Sequence, residues 1–221
     1  MLYVVGTPIG NLADITLRAL ETLRGVDLIA AEDTRHSLRL LGRYDIHKPL
    51  ISFHEHNEAR RTQELVGRLR EGANVALITD AGLPSVSDPG ARLVRACQQE
   101  GLEYTVIPGP SAVLTALVGS GLSADGFYYG GFLPPKSGGR ERELQRAVDR
   151  EETSVFFESP HRLERTLEVL ARLAPERTLC VARELTKQFE EFRRGTPAEL
   201  LTHYQAHPPK GEITFLVSGR G

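Results

Sequence analysis

Twelve residues between Thr79 and Gly90 carry two aspartates, two glycines and two prolines: Asp80 and Asp88, Gly82 and Gly90, Pro84 and Pro89. A plain connection needs fewer. Glycine lets a ligand come close to the backbone, and proline stiffens the loop that receives it. Loops of similar character occur at 6–11, 32–35, 108–111, 158–162, 182–187 and 209–212, combining Gly and Pro with Asp, Glu, Arg and Lys. Together they favour one binding site at a domain interface.

Several other chemistries fail on residue type or spacing. Gly130 to Ser137 nearly spells a phosphate-binding loop, but Pro135 stands where the second glycine belongs and has no N–H to offer a phosphate. Gly6-Thr-Pro-Ile-Gly10 is not the dinucleotide fingerprint, because its glycines are spaced differently and Pro8 removes a donor. His54 and His56 share one side of an extended chain, with Glu55 on the other; two histidines are too few for a closed zinc site. No G-x-S-x-G elbow occurs, and Cys97 and Cys180 form no C-x-x-C pair. No metal is expected.

The elements that must position these loops read as alternating strands and helices. Apolar runs at 2–5, 27–31, 49–53, 75–79 and 104–107 are expected strands. Helices are expected after Asp14 as N-cap, with Leu17, Leu20 and Leu23 on one face, and over 35–43, 58–71, 91–100 and 112–118. Arg35, Arg39 and Arg43 are spaced i, i+4, i+8 and share one helix face. A stretch of small and polar residues, 119–126, marks a boundary between domains 1–121 and 122–221. The second half is expected to hold strands at 127–132, 153–158, 177–183 and 213–218. Its helices are expected over 140–150, after Ser159-Pro160 as cap and first turn, and over 200–206 behind the capping box Thr196–Glu199. The segment 184–194 is polar and ambiguous. The fold class is α/β, two α/β domains, the first with a largely parallel sheet.

The 221 residues carry a net charge of −2, with 40% hydrophobic and 25% charged residues. That is the profile of an ordinary soluble globular protein and not of a strongly basic nucleic-acid binder, although a local basic patch is compatible with it. The N-terminus runs directly into Leu2-Tyr-Val-Val5, and no signal peptide or membrane span is visible, so a reduced, cytoplasmic location is expected.

In order along the chain stand Gly6-Thr-Pro-Ile-Gly-Asn11, Ala31-Glu-Asp-Thr-Arg35, Ser52-Phe-His-Glu-His-Asn57, Thr79-Asp-Ala-Gly-Leu-Pro84 and Ser87-Asp-Pro-Gly90. Pro108-Gly-Pro-Ser-Ala112, Glu158-Ser-Pro-His-Arg162, Ala182-Arg-Glu-Leu-Thr-Lys187 and Lys210-Gly-Glu212 follow. This set resembles the signature of the 16S ribosomal RNA (cytidine-2′-O)-methyltransferases of the tetrapyrrole-methylase superfamily, over essentially the whole chain. The resemblance implies a homodimer that binds S-adenosylmethionine in a cleft between its two domains and acts on 16S rRNA or the small ribosomal subunit. Carried over by motif, Pro8, Ile9, Asp80, Ala81, Gly82, Leu83, Ser111 and Ala112 line the cofactor from the first domain. Phe157, Ala182, Gly211, Glu212 and Ile213 do so from the second.

Methylation of a ribose hydroxyl, a weak nucleophile, calls for a base or a nearby cation. The candidates are Asp33, Arg35, Glu184 and Lys187, with His54 behind them, and the sequence does not choose among them. Two rival readings share the fold: methylation of a tetrapyrrole or other small molecule, and RNA binding without catalysis.

Overall fold

Short apolar runs build the first sheet of this computed structural model, which describes residues 1–220. Strands β1 (Leu2–Val5), β2 (Leu28–Ala31), β3 (Leu50–Ser52), β4 (Val75–Ile78) and β5 (Tyr104–Ile107) are all parallel, in the order β3-β2-β4-β1-β5. Successive side chains point to opposite faces, so Ile29 and Ala31 join one core while Leu28 and Ala30 join another. The first core is closed by Leu20 and Leu23 of α1 (Leu17–Gly25) and by Leu40 and Leu41 of α2 (Thr34–Arg43). The second is closed by Leu65 and Leu69 of α3 (Glu58–Arg70) and by Leu93 and Cys97 of α4 (Ala91–Gln99). A parallel sheet needs both faces covered, which explains why β2 and β4 are apolar throughout. Each fully buried Leu or Ile contributes about 1.5–3 kcal/mol.

The connection after β1 leads towards β2, and the one after β4 leads to the opposite side, towards β5. At such a switch point the loops leaving two adjacent strands diverge and open a crevice at their carboxyl ends.

The second sheet is mixed. Strands β6 (Phe127–Phe132), β7 (Thr153–Glu158), β8 (Leu179–Arg183), β9 (Glu191–Gly195) and β10 (Ile213–Val217) run in the order β6-β7-β10-β8-β9. Only β6 and β7 are parallel; β10 is antiparallel to both β7 and β8, and β8 to β9. The largely parallel sheet expected of the first half is the one observed there; the second half, for which the alternation alone set no strand direction, is mixed. Strand β9 overlaps the polar segment whose character the sequence leaves open, and it pairs as an edge strand. Helices α6 (Ser137–Asp149), α7 (Leu163–Leu173) and α8 (Pro197–Ala206) enclose a core with Phe156, Phe215 and Tyr204.

The two compact units are Met1–Ser111 and Ala112–Gly221, a division ten residues ahead of the expected 121/122. The cause is α5 (Ala112–Ser120), which packs on the second sheet. A Cβ at Gly119 would overlap the Phe192 ring, and the Arg194 guanidinium donates to the Gly119 and Ser120 carbonyls. Two helix caps also differ from expectation. Thr16, not Asp14, caps α1, and Leu17 is 79% exposed because Ala19 takes the inward position beside Leu20 and Leu23. Ser159 does not start α7: its carbonyl accepts the N–H groups of Arg162 and Leu163, so a separate turn precedes the helix. Among the described residues no helix is long and apolar enough to cross a membrane.

Candidate active site

In the first unit, the loops that follow β1, β4 and β5 are tied together by backbone. Gly6 and Gly109 lie so close that a Cβ on either would sit 2.9 Å from the other's backbone. Thr7 and Gly82 exchange N–H···O bonds of 2.9 and 3.1 Å, and the Thr7 hydroxyl donates to the Thr79 carbonyl at 3.0 Å. Gly82 has φ +82°, a left-handed conformation that costs an L-residue about 1–2 kcal/mol. Pro8 and Ile9 are buried against this bridge, while Ala81 is exposed beside Asp80.

Carboxylates converge at the ends of β2 and β4. The Thr79 hydroxyl donates to Glu32, and the Asp33 backbone N–H donates to Asp80 at 3.2 Å. Burial raises the Asp80 pKa. The same effect, joined by the nearby Glu32 charge, pushes Asp88 up to about 6. Asp33 behaves differently. It caps α2, accepting the Arg35 N–H at 2.8 Å, and its side chain meets the Arg35 guanidinium at 3.4 Å. These bonds, the backbone one foremost, hold its pKa below the usual carboxylate range. The His54 Nε2 lies 3.0 Å from the Asn57 side-chain amide.

In the second unit, β10 brings its candidate residues into register. Thr214 pairs with Phe157 on one side and Ala182 on the other, and Ile213 pairs with Glu158 and Arg183. Gly211, at φ +84°, lets the Glu184 carboxylate lie over it, in space that a Cβ would occupy. Glu184 Oε1 accepts the Glu212 N–H at 3.0 Å and the Lys187 ammonium at 2.9 Å; Lys187 also reaches Glu212 Oε2 at 2.7 Å. Partial burial works to lower the Lys187 pKa, but the two carboxylates outweigh it and the net shift is upward. The hydrogen bond from Lys187 lowers that of Glu184. Both groups are therefore charged at neutral pH.

The motifs behind these loops recur in known proteins. The model of the Tetrapyrrole (Corrin/Porphyrin) Methylases matches residues 1–201. A Synechocystis protein named ribosomal RNA small subunit methyltransferase I is 49% identical over 99% of this chain and 79% of its own. Its namesake from Thermotoga maritima is 48% identical over 99% and 98%. The chain belongs to the ribosomal RNA small subunit methyltransferase I family, within the tetrapyrrole methylases. Solved structures share the fold at low identity. Diphthine synthase superposes with a TM-score of 0.74 at 13% identity, covering 99% of this chain and 89% of that one. A uroporphyrin-III-C-methyltransferase from Thermus thermophilus gives 0.67 at 23%, covering 98% and 93%.

A methyltransferase of this family requires a methyl donor. The first unit's loops bring the carboxylates of Glu32, Asp80 and Asp88 together at the ends of β2 and β4, next to the bridge that Thr7 and Gly82 form. Among the described residues no three His, Cys, Asp or Glu side chains are placed to hold a metal ion. Asp88 stands within one of the sequence motifs, yet the sequence assigns it no role. Its only sequence signal is its place in a Gly- and Pro-rich loop; its proximity to Glu32, 56 residues earlier, leaves no local mark.

Proposed function

We propose that the protein methylates a cytidine ribose 2′-hydroxyl of 16S ribosomal RNA, using S-adenosylmethionine as donor. The observation that carries this reading is near-full-length similarity, close to half of all positions, to proteins named for methylating small-subunit ribosomal RNA. The locked, carboxylate-rich loops of the first unit support the donor, since they offer negative charge to a cation. Pro8, Ile9, Asp80 to Leu83 and Ser111 are assigned to holding it, as are Ala112, Phe157, Ala182 and Gly211 to Ile213. When bound, S-adenosylmethionine supplies an already activated methyl group, so in-line displacement depends mainly on positioning and desolvation.

Lys187 is the group we assign to the ribose. Its ammonium, fixed by Glu184 and Glu212, stabilises the negative charge that develops on the ribose oxygen as the methyl group arrives and the hydroxyl proton passes to solvent water. Glu184 positions Lys187. Asp33 is a weak base because its pKa is lowered, and with Arg35 it is assigned to holding the sugar–phosphate at the start of α2.

The test is incorporation of label from methyl-labelled S-adenosylmethionine into unmodified small ribosomal subunits, followed by alkaline hydrolysis. A 2′-O-methylated linkage lacks the hydroxyl that cleaves its neighbouring phosphodiester, so the label is expected in an alkali-resistant dinucleotide. Label that is absent, or released in mononucleotides, refutes the ribose assignment.

A further inference from the structure

In the second unit a cavity of about 370 Å³ lies between β8, β9, the end of α8 and the segment that precedes β10. Its size falls within the range of about 300–1,000 Å³ common for small-molecule sites. Arg183, Arg193 and Lys210 face it against a single carboxylate, Glu191. Arg183 and Arg193 each donate to Glu191, at 3.1 and 2.8 Å, which orients their guanidinium groups. Lys210 is exposed, and its ammonium has no acidic partner among the described residues. Anions are drawn here, and Arg193 keeps its terminal nitrogens for one.

The wall is also aromatic. His203 and His207 stack at 4.8 Å with 21° between their planes, and burial, joined by the charges of Arg193 and His207, lowers the His203 pKa. The Phe189 ring is 65% exposed. Tyr204 lines the same cavity, is 1% exposed, and its hydroxyl has no hydrogen-bond partner. A buried hydroxyl without a partner is costly, and a ligand polar atom would satisfy it.

The geometry points to this cavity as a seat for one unpaired nucleotide of the RNA substrate, its base against the aromatic side chains and its phosphate on the cations. Bases splayed from single-stranded RNA are held in this combination of stacking and positive charge. The inference rests on the proposed ribosomal RNA substrate and adds where that RNA is gripped. Chain geometry links the seat to Lys187. Phe189 belongs to the loop between β8 and β9, which is closed by Lys187 N–H to Glu184 O at 3.0 Å and Glu190 N–H to Lys187 O at 3.2 Å. Lys210 is two residues from Glu212, the second partner of Lys187. A nucleotide in the cavity thus neighbours the one whose ribose Lys187 serves.

Binding of purified, unmodified small ribosomal subunits to the wild-type protein and to Phe189→Ala, Lys210→Ala and Tyr204→Phe, at several salt concentrations, tests this. Phe189→Ala is expected to weaken binding roughly five- to hundredfold. Lys210→Ala should make the salt slope shallower by about one. Tyr204→Phe should weaken binding without lowering the melting temperature, because no internal hydrogen bond is removed. Affinity for S-adenosylmethionine, measured by calorimetry, should stay at the wild-type value in all three. If the wild type binds subunits and the three variants match it in affinity and slope, the seat is refuted while the RNA substrate stands. If the wild type itself fails to bind subunits, the ribosomal reading falls and takes the seat with it.

Discussion

At the scale of single residues, two positions in one loop show how the fold holds unfavourable states that a ligand can use. Asp88 is pushed up to about 6 from an ordinary 3.8, chiefly by burial and then by Glu32. A carboxyl group whose folded pKa is raised stabilises the fold fully below its unfolded pKa, and that contribution is lost as pH rises through the folded value. Stability should therefore decline between about pH 4 and pH 6 on this account and stay level above it. Asp88→Asn removes the ionisation. It should be more stable than the wild type at pH 8, by up to about 3 kcal/mol, with the difference vanishing near pH 3; denaturant titrations at both pH values check this. The same substitution should weaken S-adenosylmethionine binding, since it takes away a charge near a cationic donor. Gly82 is the second case. A Cβ there would stand 3.7 Å from Ile9 and 3.8 Å from Pro110, so space is adequate and the left-handed φ of +82° is the obstacle. Gly82→Val should fold with a loss of about 1–2 kcal/mol and bind S-adenosylmethionine more weakly by calorimetry. Unchanged affinity would remove this loop from the donor site.

Elements explain why some of the structure is readable from sequence and some is not. Strands β1, β2 and β4 are apolar runs because helices bury both their faces, so the βα alternation of the first unit is plain, and the Thr196–Glu199 capping box is present as expected. Strand β9 cannot be read the same way: Glu191, Arg193 and Arg194 give it no apolar pattern, and its pairing with β8 supplies the order. The start of α7 escapes a reading by residue type because Ser159 closes a turn through its carbonyl. In the candidate site, the glycine and proline loops are legible. The Thr79–Glu32 bond and the placement of Glu184 over Gly211 join residues distant in sequence and leave no local trace. The approach of Glu184 to Gly211 makes a prediction about the loop between β8 and β9. A methyl group at Gly211 would displace the Glu184 carboxylate and, with it, the Lys187 ammonium. Gly211→Ala should therefore lose activity on small subunits by a factor approaching that of Lys187→Met, about 10²–10³ by analogy with removal of one oxyanion-stabilising donor. Activity of Gly211→Ala close to the wild type would show that Glu184 does not position Lys187.

At the scale of the whole molecule, a net charge of −2 must be reconciled with a polyanionic substrate. Positive charge has to be concentrated locally, and α2 does this on one face. Arg35, Arg39 and Arg43 are all exposed, α2 starts directly after its cap Asp33, two residues past the end of β2, and its opposite side is anchored in the core by Ser37, Leu40 and Leu41. Arg35 is 90% exposed on its side chain even while paired with Asp33, and Arg43 leans over the Tyr44 ring at 5.9 Å. Exposed pairs of this kind contribute little to stability, roughly 0–1 kcal/mol, so stability alone gives no reason for three guanidinium groups in a row. Phosphate binding does, because the planar fork of arginine can hold two phosphate oxygens at once. Arg39→Glu with Arg43→Glu should leave the melting temperature and the S-adenosylmethionine affinity within error of the wild type, since neither side chain is buried. Affinity for small ribosomal subunits should fall, and the plot of log affinity against log salt should become shallower by about one unit for each phosphate no longer held. A solvated face that never meets RNA predicts the same melting temperature but an unchanged slope. The salt titration therefore separates the two by a quantity that overall affinity alone does not provide.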